Sequence, residues 1–88
     1  MLIAVNPGCL LKAEAELQAK GVLSKTVSRT GTDSLLELHL GKASVQLRHS
    51  ERRTTFADVD VSSPSSARLM QAVIDAGVAA PQPERRSR

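Results

Sequence analysis

The stretch Leu36-Glu37-Leu38-His39-Leu40-Gly41-Lys42-Ala43-Ser44-Val45-Gln46-Leu47-Arg48 decides the fold. Leu36, Leu38 and Leu40 alternate with Glu37 and His39; beyond Gly41-Lys42, Ala43, Val45 and Leu47 alternate with Ser44, Gln46 and Arg48. Successive side chains of a strand point to opposite faces, so a period of two marks a strand with one dry and one wet face. A two-residue turn at Gly41-Lys42 pairs Leu40 with Ala43, Leu38 with Val45 and Leu36 with Leu47, and all six apolar side chains then share a side. A slip of one residue would send one strand's apolar set into water, so the register checks itself.

Working outward, His49 to Arg53 reads as a polar loop, after which the alternation resumes. Pairing Arg48 with Thr54 places Thr55, Ala57, Val59 and Val61 on the inner face and predicts a three-stranded antiparallel meander. Upstream, residues 22 to 29 keep only Leu23 and Val27 in alternation, with Lys25 between them, and leave a strand before the Thr30-Gly31-Thr32-Asp33 turn undecided.

Two segments flank this region with the same punctuation: Asn6-Pro7 through Gly21-Val22, and Ser63-Pro64 through Gly77-Val78. Each opens with a capping residue followed by Pro, whose missing N–H costs nothing in the first turn of a helix. Each closes with Gly, which reaches the left-handed conformation that ends a helix, and a Val that can touch Leu17 or Val73 in the last turn. In the second helix Leu69, Met70, Val73 and Ile74 form an apolar stripe, with Arg68, Gln71 and Asp75 pointing away. The first, Leu10 to Lys20, has a thinner stripe of Leu10, Ala13 and Leu17 against a wet side of Lys12, Glu14, Glu16 and Lys20. The pattern common to both segments is capping chemistry; a repeat architecture requires several stacked copies.

Leu2 to Val5 reads as a short buried strand entering the first helix. The expected order is β-α-β-β-β-β-α, an α+β domain over residues 1–80 with an antiparallel sheet of three to five strands and both helices on one face.

The 88 residues, 41% apolar and 24% charged, suit one small globular core and exclude a multi-domain enzyme with an interdomain cleft. A single Cys allows no internal disulfide, so a reducing, cytoplasmic setting is expected. The apolar run Met1 to Val5 is broken by Asn6-Pro7-Gly8 and no Lys or Arg precedes it, so neither a signal peptide nor a membrane span is expected. Of the net charge of +3, residues 81–88 hold +2 through Arg85, Arg86 and Arg88 against Glu84, leaving the body nearly neutral. That Pro- and Arg-rich tail has no apolar residue to bury and reads as disordered.

The candidate chemistry is sparse. Cys9 near a helix start could carry a lowered pKa, but the sequence places no base beside it, and a small buried hydrophobe is the simpler reading. Glu37, His39 and Ser44 offer the residue types of a nucleophile, base and orienter, yet their alternation is fully explained by a solvated sheet face. His39, His49 and Cys9 match no metal-ligand spacing, nor do Asp58 and Asp60 with no further oxygen ligands, so neither a metal nor a cofactor is expected. The serines of Ser62-Ser63-Pro64-Ser65-Ser66 are explained by helix capping without modification. Phe56, the only aromatic, points to the outer face by the register above, beside Gln46 and Arg48 and near Leu35; an inward bulge would reverse it.

These features lead to the expectation of a non-catalytic protein-binding module, regulatory or inhibitory, that docks through a sheet face or edge using Phe56, Gln46, Arg48 and His39. Its small, aromatic-poor core favours a homodimer. The alternative is an accessory nucleic-acid-binding protein that holds phosphates with Arg48, Arg52 and Arg53 of the loop and Arg85, Arg86 and Arg88 of the tail.

Overall fold

The computed structural model describes residues 1–8 and 10–83. Cys9 and residues 84–88 of the tail, with Arg85, Arg86 and Arg88, lie outside the described residues, as do the side chains of Leu10, Leu11 and Lys12. The elements run β1 (Leu2–Val5), α1 (Leu10–Ala19), β2 (Leu23–Thr30), β3 (Asp33–Leu40), β4 (Ala43–Ser50), β5 (Thr55–Asp58), α2 (Pro64–Asp75) and β6 (Ala79–Pro81). The class is α+β, as the patterning predicts.

The central hairpin forms in the expected register, with Leu40 opposite Ala43, Leu38 opposite Val45 and Leu36 opposite Leu47. Gly41 takes a φ of 60°, which a tight turn between these strands requires. β4 runs on through Ser50, so His49 lies in a strand and not in the expected loop. Parity with Leu47 turns its side chain inward, opposite Ser34, where it is 2% exposed.

The sheet is split, which corrects the expected single sheet. β2, β3 and β4 form one antiparallel meander, and β5, β1 and β6 form a second three-stranded sheet with β1 in the middle. β5 keeps its predicted faces, with Thr55 and Val59 buried and Phe56 and Asp58 exposed. Its neighbour is β1, however, with Ile3 opposite Ala57 and Val5 opposite Thr55. Alternation dictates which way side chains point, and the strand alongside is chosen by non-local packing. The Thr55 hydroxyl donates to the Arg48 carbonyl where the chain passes from one sheet to the other. β6, opposite Ile3 to Val5, is an additional strand after the last helix.

α2 follows its punctuation closely. Ser63, extended at φ −91° and ψ 150°, accepts the Ser66 N–H on its hydroxyl at 3.1 Å, and Pro64 opens the helix. Gly77 N–H donates to Ile74 O at 3.0 Å and Val78 N–H to Val73 O at 3.2 Å, the paired bonds of a Schellman ending. α1 ends in the same way, through Gly21 to Gln18 O and Val22 to Leu17 O. Its first residue is the expected one, but Asn6-Pro7 does not open it as the punctuation predicts. Gly8 has a φ of 60°, so Pro7-Gly8 forms a turn and α1 begins at Leu10. Asn6 meanwhile ties to the end of α2, giving its backbone N–H to Val78 O and its side-chain amide to Gly77 O.

One buried cluster joins all these parts: Ile3 and Val5 of β1, Ala13 and Leu17 of α1, Leu38 and Leu47 of the hairpin, and Leu69, Met70 and Val73 of α2. α2 packs against β3, β4 and β6. No helix among the described residues is long and apolar enough to cross a membrane.

Candidate functional site

Residues that point away from this core on the β2–β3–β4 sheet build a polar network across two strands. Glu37 and Gln46 are cross-strand partners, as are His39 and Ser44, and Leu35 and Arg48. The His39 Nε2–H donates to Glu37 Oε1 at 2.9 Å, and the Gln46 amide donates to the other carboxylate oxygen at 3.3 Å. An ionised carboxylate only accepts, so the contact with Glu37 fixes the proton on Nε2. These two donors, His39 first, hold the Glu37 carboxyl below its ordinary value of 4.5. Glu37 is thereby a persistent acceptor that locks His39 and Gln46 in position.

The structure thus gathers His39 and Gln46 around Glu37, with Arg48 next along the same face of β4. Phe56 is not among them. It is exposed, as expected, but on the other sheet, opposite Ala4 of β1, with 64% of its surface in solvent. Its aromatic face and the polar face of the hairpin are therefore separate surfaces. In the loop after β4, the Arg52 and Arg53 N–H groups both donate to the Ser50 hydroxyl, a local turn bond. The Arg53 guanidinium is engaged with Asp33 at 3.1 Å, whereas Arg52 and Arg48, the other loop cations of the phosphate-binding alternative, join no ion pair among the described residues.

The most exposed element is the strand that the sequence left undecided but that the expected element order includes. Among the described residues β2 pairs with β3 alone, on one side, and all eight of its residues are exposed. Leu23 and Val27 are 68% and 47% exposed, and the register slips between Thr26 and Ser28, leaving Val27 in a bulge. Leu23 stands opposite His39 and Lys25 opposite Glu37, so the edge is continuous with the polar network. A strand wet on both faces has no reason to alternate, so only Leu23, Val27 and the neighbouring turn residues Gly31-Thr32 signalled it.

Among the described residues, no group of three or more His, Cys, Asp or Glu is placed to hold a metal ion. Comparison of the chain with protein-family models, with curated proteins and with solved structures finds no match.

Proposed function

We propose that the protein is a non-catalytic docking module that takes up an extended segment of a protein partner along β2. The observation that carries this reading is the edge itself: eight residues of strand, exposed throughout, with one side unpaired. Such an edge offers a row of backbone donors and acceptors on which a partner strand can add. Leu23 and Val27 supply apolar contact beside it, and His39 and Gln46, held by Glu37, extend the surface inward from the edge.

The charge of β2 selects the partner. It contains Lys25 and Arg29 and no acidic residue. A second copy laid antiparallel and centred on Val27 would set Lys25 of one copy opposite Arg29 of the other, and directly opposed like charges destabilise a strand pair. The Val27 bulge further discourages flat self-pairing. An acidic extended segment of another protein meets neither obstacle.

Affinity capture of the tagged protein from its native cell extract, with and without nuclease and at low and moderate salt, tests this reading. The expected result is a stoichiometric protein that survives nuclease, protects β2 amides from hydrogen exchange, and is lost with Lys25→Glu and with Val27→Pro. Capture that disappears with nuclease and ignores both substitutions would instead assign function to the arginine loop and tail.

A further inference from the structure

On the side of the β2–β3–β4 sheet opposite the polar network, a cleft of about 250 Å³ opens between the sheet and α1. Its floor is apolar, from Leu17 of α1 and Leu36 of β3, each 1% exposed. Ser34 and His49 line it from adjacent strands. The His49 side chain is 2% exposed, and its Nε2 is shielded from solvent with no hydrogen-bond partner among the described residues. A buried polar atom left unsatisfied costs about 1–3 kcal/mol, so the imidazole at the wall of this cleft is a polar group whose hydrogen-bonding capacity is still to be met.

The mouth of the cleft carries charges of both signs. Glu14 of α1 and Glu51 beyond β4 bring two carboxylates, and Arg29 of β2 a guanidinium. None of the three joins an ion pair among the described residues, whereas Arg53 is matched with Asp33 and the Met1 ammonium with Asp58. Glu51 is held in place by its N–H bond to Thr32 O at 3.0 Å. Ser24 and Thr26 of β2 add hydroxyls on the Arg29 side.

We propose that this cleft binds a small zwitterion, a free α-amino acid. Its ammonium faces Glu14 and Glu51, its carboxylate faces Arg29 and the β2 hydroxyls, and its side chain lies over Leu17 and Leu36 within reach of His49. A simple anion would face two carboxylates against one guanidinium, and a simple cation would leave Arg29 unmatched. The volume holds roughly eight water-sized atoms at ~30 Å³ each, the scale of a small amino acid and below that of a nucleotide. The cleft shares Ser24, Thr26 and Arg29 with the docking strand but opens on the face of β2 turned toward α1, and filling it does not require a partner strand at the edge.

The test is a titration of the full-length, isotopically labelled chain with each free amino acid, following the nitrogen resonances of the His49 imidazole, with acetate and methylammonium as singly charged probes. The expected result is a saturable shift at His49 with at least one amino acid, and binding of either single-charge probe at least about tenfold weaker. Arg29→Gln and Glu51→Gln, at exposed positions that leave the fold intact, each weaken binding by about tenfold, the loss of one charge-assisted hydrogen bond. The proposal is overturned if no amino acid moves the His49 signal at about 10 mM, a concentration that would reveal even very weak binding. It is overturned equally if acetate or methylammonium binds as well as the amino acids, or if both substitutions leave affinity unchanged.

Discussion

Gly77 ends α2 at a φ of 82°, a conformation that L side chains rarely adopt. A Cβ there would meet nothing within 4 Å, so the cost of Gly77→Ala is a backbone cost alone. It is expected to be about 1 kcal/mol, lowering the thermal midpoint by about 4–8 °C in a calorimetric scan. Phe56→Ala should move the midpoint by no more than a few degrees, a change within about 0.5 kcal/mol, because most of the ring is already in water. Glu37 adds a pH dependence of known sign. Its folded pKa is depressed by the bonds from His39 and Gln46, so its contribution is present above the ordinary value of 4.5 and lost as pH falls through the lower folded value. Urea midpoints of Glu37→Gln should therefore lie below those of the unsubstituted protein near neutral pH and converge with them in acid. His49 was legible in principle at this scale: parity with Ala43, Val45 and Leu47 points it inward, and only the assumption of a polar loop hid it.

Strand β2 has all its residues in solvent and one unpaired edge, and opening it exposes little apolar surface. Its amides are expected to exchange with solvent fastest of the three strands in its sheet, with those of β4 protected longest, in a hydrogen-exchange time course read by NMR. The elements most legible in the sequence are those whose signals are local. The Gly41-Lys42 turn and its alternating flanks set the β3–β4 register, and Ser63-Pro64 with Gly77-Val78 delimited α2. β5 was legible in its faces but not in its neighbour, because its partner β1 lies 50 to 56 residues away along the chain. β6 was invisible: Ala79-Ala80-Pro81 has low strand propensity, and only its position beside β1 makes it a strand. Of the candidate site, His39, Gln46 and Arg48 were legible together because they share one hairpin face, whereas Phe56 was assigned to that face through a pairing that does not form.

The two sheets have no separate interiors, since Leu38 and Leu47 of one meet Ile3 and Val5 of the other in a single cluster with both helices. Leu47→Ala, at a site with no exposure, should cost about 2–5 kcal/mol. Both sheets should then melt together, as one transition seen alike by far-ultraviolet dichroism and by calorimetry. The position of β1 has another consequence. Its four residues leave the ribosome before any others of the sheet, yet the strands that flank it, β5 and β6, are synthesised after the hairpin and on either side of α2. The β2–β3–β4 meander has all its pairings within reach while the chain is still emerging. Leu2-Ile3-Ala4-Val5 has no strand to pair with until β5 has been made, and its second ladder closes only after residue 81 has followed. Chain order and assembly order thus part company, and the earliest of these six strands is among the last to find its place.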